Sequence, residues 1–511
     1  MSLSFKTSAA ALPTLATMNT RQTQAHPSPA PLARPPGPPA KWGGLPVLQS
    51  LAQDFVGYLR QQHQVHGDIF YARVMWEDVY AVCSPELMRE VLVDHAAHLI
   101  RQERPIEVFA EAQGPNSVIV TEGAQWERLH RILRPGFSPK RVSSYGALMA
   151  AAATRSLDSA VPAGVGASAQ VQVDTWMDLL TMDVILRTLF STQADAQTRE
   201  VAHAIKALDA IAMKEFFWPM TLPDWLPLPG KATKRKALRL LDELVDGHLR
   251  ARRQGSADAA PGDDLLAMLL AARDNEDAPQ GAQALTLNDA EIRDQCKVMF
   301  LAGFETTSTA LQWWTWLMAR HPACAQRAQL ELEEVMGART PTADDLPQLP
   351  WLTATLKEAM RLYPTVPATV TRRTTADVQV GGCLVPKGSL VMVLPCVAHH
   401  DARCFPQPER FQPERFMPDA PALPRDAWMP FGAGPRVCIG QHFAMLEMVI
   451  ISAMLLQRYH LSEAPGQAPP EAELQVTLRP RGGVKVRFER RASGLHSGVR
   501  SGPASAAAHP L

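Results

Sequence analysis

The spacing of apolar positions changes along this chain. At residues 69–74 and 79–83, β-branched and aromatic residues form two short runs separated by Trp76, Glu77 and Asp78, which predicts a hairpin. Ser84, Pro85 and Glu86 follow, a cap and a first-turn proline that open a helix. From there to about residue 365 the apolar spacing is helical, broken at 257–264 and 274–288 by polar stretches containing Gly and Pro. A second β-rich stretch at 378–394 has Gly381-Gly382 and Pro386-Lys387-Gly388 as its turns. The pattern predicts a mainly α body with smaller β-sheets and no internal repeat. Segments 298–318 and 443–456 are apolar enough to be weighed as membrane spans. The first carries Glu305 and four hydroxyl side chains at its middle, and the second is short and holds Glu447, so both read as buried core helices.

The ends differ from the body. Residues 19–46 are crowded with proline, including Pro35-Pro36-Gly37-Pro38-Pro39, which favours extended geometry. Residues 1–46 are therefore expected to be a tail and hinge, 47–490 one folded domain, and 491–511, small and polar, a disordered tail. With 511 residues, 46% of them hydrophobic, a large core is no difficulty. Lys+Arg and Asp+Glu both number 51, so no net field points to nucleic acid or an anionic membrane as partner. Seven cysteines are scattered without a C-x-x-C pair, which fits a reducing cytoplasm. Lys6 and Pro13 interrupt the weakly amphipathic start, and no signal peptide or membrane anchor is expected.

One cysteine stands in a distinctive setting. Residues 431–440 read Phe-Gly-Ala-Gly-Pro-Arg-Val-Cys-Ile-Gly, a glycine-rich loop directly before the helical run 441–456. Gly432 and Gly434 allow a tight turn and close approach to a flat ligand. Cys438, near a helix N-terminus, is expected to favour thiolate over thiol. A free buried cysteine is the plain reading of such a residue. A dinucleotide loop fits poorly, because Val437 stands where a third glycine belongs; zinc fits poorly, because only Cys438 and His442 have ligand spacing.

Elsewhere, Glu358 and Arg361 lie i,i+3 on a helix, close enough to pair, although such pairs are commonplace on solvated faces. The stretch 302–307, Ala-Gly-Phe-Glu-Thr-Thr, puts an acid and an alcohol inside an apolar helix, where desolvation is costly. Hydroxyls there can bond back to helix carbonyls, but the carboxylate has no such outlet. Trp126 and His130, followed by Arg131 and Arg134, read on their own as a packed tryptophan with a basic face.

Taken together, these motifs resemble the cytochrome P450 haem-thiolate monooxygenases. Their cysteine loop has the form F-x-x-G-x-R-x-C-x-G, met here by Phe431, Gly434, Arg436, Cys438 and Gly440. The likeness runs from Pro36 to about Arg490 with five motifs in order. It implies a triangular prism with haem b between an oxygen-binding helix and a cysteine-ligand helix. Cys438 would be the iron ligand, Arg436 would meet a propionate, Phe431 would shield the sulfur, and Gly440 would lie beside the cofactor. Ala302 and Gly303 resemble the oxygen groove, with Glu305 and Thr306 as the catalytic acid–alcohol pair that delivers protons. Glu358 and Arg361 resemble the E-x-x-R helix, and Arg415 in Pro-Glu-Arg-Phe would complete their buried triad. Trp126 and His130 would reach the propionates. The family usually has arginine in place of His130, so Arg131 or Arg134 is an alternative. Arg372 resembles another propionate ligand, with Arg373 as its neighbouring alternative.

The implied activity is insertion of one atom of O2 into an apolar substrate. A thiolate ligand favours O–O cleavage. No flavin or nicotinamide domain follows residue 490, so electrons are expected from a ferredoxin or flavodoxin with an NAD(P)H-dependent reductase, docking near the cysteine loop. A fatty acid or related lipid is favoured as substrate, with terpenoid, sterol or alkane as alternatives. The stretch 215–220, Glu-Phe-Phe-Trp-Pro-Met, reads as an aromatic lip. A haem-based ligand sensor without turnover is the rival of another class, and a peroxide-driven enzyme the rival within the class. The acid–alcohol pair argues against both.

Overall fold

The computed structural model describes residues 34–164, 166–218, 223, 225, 226, 228–254, 264–273 and 287–491. The expected tail at 1–33 and 491–511, most of both polar interruptions and the Pro219-Met220 end of the lip lie outside them, except for Arg491.

One helix organises the rest. Asp289–Arg320, about 48 Å long at 1.5 Å per residue, begins at a capping box in which Asn288 accepts from the Glu291 amide and Glu291 accepts from the Asn288 amide. It is apolar nearly all round and buried along most of its length, as a central helix must be. It packs along Val173–Phe190 and also touches Pro350–Leu362 and Gln441–Arg458. The apolar segments 298–318 and 443–456 are thus core helices, and no helix among the described residues is long and apolar enough to cross a membrane.

Val378–Val380 and Cys383–Val385 pair as a separate hairpin, while the first β-rich stretch and the end of the second meet in one sheet of five strands, ordered Ile69–Val74, Glu77–Val82, Leu390–Val393, Arg372–Thr374 and Leu99–Arg101. The second and third of these run parallel and the other neighbours antiparallel. The hairpin at 69–82 is tighter than its sequence suggested. Met75, at φ 56°, and Trp76 make the turn, and Glu77 and Asp78 already pair with Val74 and Arg73.

The described part of the proline-rich stretch is mostly exposed but touches the hairpin at two points. Pro36 accepts from the Tyr71 amide, and a Cβ at Gly37 would fall 1.7 Å from the Tyr71 carbonyl oxygen. Two small β units were not read from sequence: the sheet Ser168–Gln172, Lys485–Arg490, Tyr459–Glu463, and the hairpin Ala472–Leu474 with Leu478–Pro480. That hairpin reaches the central helix, where Trp313 donates to the Leu478 carbonyl at 2.8 Å.

Candidate active site

The cysteine loop is a tight backbone construction. Gly434 sits at φ 71°, and a Cβ there would lie 2.0 Å from the Leu92 carbonyl oxygen, so only glycine fits. The Cys438 amide donates to the Phe431 carbonyl at 2.9 Å and closes the loop before the helix Gln441–Arg458. Cys438 is accessible, yet it lies deep within the protein, on an inward-facing surface. Burial raises its thiol pKa, and the Gly440 amide opposes this only in part. Phe431 is half-buried against Trp428.

Below the loop lies a sealed scaffold. Glu358 and Arg361, both 0% exposed, make a two-point pair at 2.7 and 2.8 Å, and Arg415 reaches Glu358 at 3.4 Å. Arg361 also donates to the His399 carbonyl at 2.7 Å. Burial drives the His399 imidazole pKa down to about 3, and its Nε2 accepts from the Met429 amide at 3.0 Å, two residues ahead of Phe431. The triad read from sequence is assembled, and it braces the loop through His399.

A second arginine cluster has the opposite character. Arg101 and Arg372 are direct partners across antiparallel strands, an arrangement that costs energy for like charges. Arg372 is buried and donates to the Val370 carbonyl at 2.8 Å. Arg101 has Nε and Nη1 shut off from water without any hydrogen-bond partner. Burial and the neighbouring guanidiniums push Arg101 down to about 9 and Arg372 down to about 10. Arg436 joins them, donating to the Thr121 carbonyl at 2.9 Å and to Glu122, with its guanidinium 4.0 Å above the Trp126 ring. Trp126 stacks on His130 at 5.0 Å, whereas Arg131 and Arg134 are exposed. Arg373 points elsewhere, paired with Glu77 and Glu103.

The cluster thus holds three guanidiniums against one carboxylate, Glu122. Two further carboxylates, the complement of a haem, would neutralise it. The orphaned Arg101 nitrogens, the accessible Cys438 thiol and this donor set fit an iron porphyrin. Arg101 and Glu122 escaped the sequence reading because a three-residue strand offers no pattern, and only the strand register brings Arg101 opposite Arg372.

On the central helix, Ala302 is exposed and Gly303 and Thr306 partly so, a short open stripe on a buried rod. A Cβ at Gly303 would approach Ile185 at 2.8 Å, so glycine there also permits close helix packing. Ala302, Glu305 and Thr306 line a cavity of about 410 Å³ that Arg101 and Thr371 also border. Glu305 and Thr306 have separate partners. Thr306 donates to the Ala302 carbonyl at 2.8 Å, whereas Glu305 meets Arg479 at 2.9 Å and accepts from Thr477 at 3.1 Å. Adjacent helix positions do not face each other, so each turns to its own partner. Burial raises the Glu305 pKa, and Arg479 restrains the rise. Arg479, Thr477 and the cavity-lining Asp209 were also missed, because nothing in sequence links them to Glu305.

A thiol-bearing loop braced by a Glu-Arg-Arg triad, beside an under-neutralised arginine cradle and a cavity along a central helix, defines a haem-thiolate class of architecture. The chain belongs to the cytochrome P450 family, whose model matches residues 35–488. It is an oxygen-incorporating oxidoreductase. The cyclooctat-9-en-7-ol 5-monooxygenase of Streptomyces melanosporofaciens is 31% identical over 448 residues, covering 86% of this chain and 94% of that protein. The cyclooctatin synthase of the same organism is 32% identical over 419 residues, covering 81% and 88%. The leukotriene-B4 omega-hydroxylase 3 of Mus musculus is 30% identical over 448 residues, covering 82% of each chain.

Proposed function

We propose that the chain holds haem b through Cys438 and inserts one oxygen atom from O2 into a large apolar substrate. The observation that carries this is the three-guanidinium cluster with one internal counter-charge, near a loop that presents one accessible cysteine. Arg101, Arg372 and Arg436 hold the two propionates, and Trp126 and His130 flank Arg436. When bound, the haem supplies oxygen activation, which a thiolate ligand promotes.

The protein's own part is positioning and proton supply. Ala302 and Gly303 keep the helix face low beside the cavity. Thr306, whose hydroxyl hydrogen is engaged by the Ala302 carbonyl, keeps its oxygen lone pairs free to hold a water there. Glu305 acts as proton reservoir behind it and must exchange Arg479 for water to deliver. The apolar lining excludes bulk solvent. Electrons come from a ferredoxin or flavodoxin with an NAD(P)H-dependent reductase, in the cytoplasm. The substrate is a lipid, of which fatty acid and terpenoid are the two leading classes. Relatives named for cyclooctat-9-en-7-ol and for leukotriene B4 support a large, mainly apolar skeleton.

The deciding measurement is the absorption spectrum of the ferrous carbon monoxide complex, for the parent and for Cys438→Ser. A thiolate-type red-shifted Soret band in the parent, lost in the variant, is the expected result. Its absence from the parent overturns the reading.

A further inference from the structure

Much of the cavity wall is apolar, through side chains such as Ile106, Phe109, Val120, Leu208 and Val366, and the polar groups on it include Lys234, which is paired with Glu111 and Glu215, and Arg101 of the cradle. Asp209, Glu305 and Thr477 line it as well. Behind them Arg479, on the strand Leu478–Pro480, meets Glu305 at 2.9 Å and donates from Nε to Thr477 at 3.1 Å. Thr477 in turn exchanges a hydrogen bond with Thr309 at 3.1 Å. Glu305 and Thr477 are therefore satisfied within the protein.

Asp209 is not. It is 7% exposed on the helix Ala196–Phe217, between the buried Leu208 and Ala212, and accepts no hydrogen bond among the described residues. Its nearest cation is Arg479, whose Nη2 lies 3.7 Å from Oδ2, too far for a hydrogen bond. That Nη2 is already engaged, 2.9 Å from the Glu305 carboxylate. A buried carboxyl left in this state is expensive, and folding alone does not call for it, because Arg479 already has Glu305. An unused acceptor, Asp209, thus stands beside an ion-paired guanidinium at the edge of the cavity.

We propose that Asp209, with Arg479 beside it, is the cavity's anchor for a hydroxyl group, so that the substrates are hydrophobic alcohols in preference to carboxylic acids or plain hydrocarbons. This rests on the monooxygenase reading above and narrows its substrate class. A hydroxyl both donates and accepts through one oxygen, so it can hydrogen-bond Asp209 in either protonation state of that carboxyl. A carboxylate would have to shed its hydration at a buried site whose adjacent cation, Arg479, is already paired with Glu305. A hydrocarbon leaves both protein groups as they are and pins no orientation. Anchoring one end also fixes which carbon is held at the Thr306 side of the cavity. Burial together with the charge of Glu305 pushes the Asp209 carboxyl well above its usual range, toward the neutral form.

A matched triplet tests this: farnesol, farnesene and farnesoic acid, titrated calorimetrically into the haem-loaded parent, Asp209→Leu and Asp209→Asn. The parent is expected to bind farnesol about tenfold more tightly than either companion, the worth of one hydrogen bond. Asp209→Leu removes that advantage without weakening farnesene, and Asp209→Asn, which keeps an acceptor, retains most of it. Equal affinities in the parent, tighter binding of farnesoic acid, or an alcohol preference that survives in Asp209→Leu overturns the proposal. Calorimetry reads the anchor without the haem spectrum. A missing red-shifted carbon monoxide band therefore sinks the haem-thiolate reading alone, while the triplet still decides the anchor.

Discussion

Two arginine clusters lie in this molecule, and they are built on opposite rules. Beneath the cysteine loop, Arg361 is fully buried and each of its donor groups is used: two bonds to Glu358, one to the His399 carbonyl and one to the Arg410 carbonyl. Beside the cavity, Arg101 and Arg372 face each other across two strands, and two Arg101 nitrogens have no partner. Residue type and burial do not separate the two; internal completion does. A cluster whose charges close on themselves is scaffold, whereas one left two negative charges short is a seat for an anionic group.

The sharpest break in that comparison comes from removing one member of each. Arg361→Leu strands Glu358 as a buried, unpaired carboxylate and is expected to cost about 3–5 kcal/mol of stability. Urea unfolding should place its midpoint well below the parent's, or the protein should fail to load haem. Arg101→Leu should do the reverse to the haem-free chain, whose urea midpoint stays level or rises as like-charge repulsion is relieved. Its effect falls on cofactor retention. Transfer of haem to an excess of apomyoglobin should speed up by about 10–100-fold, the loss of one charge-assisted hydrogen bond of about 1.5–3 kcal/mol. Equal destabilisation of the haem-free chain by both variants would erase the distinction.

The sealed cluster also carries a pH signature. His399 titrates at about 3 when folded, against an ordinary value near 6.5. Its folded pKa is depressed, so the unfolded chain binds more protons below pH 6.5 and stability falls with pH across the window from 6.5 to about 3. Between pH 7 and 5.5 this amounts to about 1 kcal/mol. His399→Gln keeps an acceptor for the Met429 amide without titrating, and should flatten the urea midpoint over that range. His400, pushed down to about 4 by burial, leaves a residual slope of the same sign.

What could be read in the sequence was what lies close together along the chain. The loop 431–440, the Glu358–Arg361 spacing and the acid within an apolar helix each declare themselves within a few residues, and the structure assembles the triad as read. What could not be read was how separate elements meet. Arg101 comes from a three-residue strand, and its importance arises only from register with Arg372. Glu305 looked free because its partner, Arg479, comes from a short C-terminal hairpin that carries no periodicity of its own. The helix end behind Cys438 was legible, but the burial of its sulfur, which raises the thiol pKa, was not.

The smallest expected effect tests whether the comparison holds at single-residue resolution. Arg373 adjoins Arg372 in sequence, yet strand alternation turns it to the opposite face, where it meets Glu77 and Glu103 at 2.9 and 2.8 Å. Its side chain is 23% exposed and that of Glu103 is 51% exposed, so solvent screens the pairs and their net worth is about 0.5 kcal/mol. Arg373→Gln should therefore shift the urea midpoint only slightly, more at low salt than at high. Haem transfer should keep the parent rate, because the cradle faces the other way. Faster haem loss from Arg373→Gln than from Arg372→Gln would mean that the two arginines had been assigned to the wrong sides of the sheet. The cradle would then have to be rebuilt around Arg373, and the charge count that makes it fit two carboxylates would no longer hold.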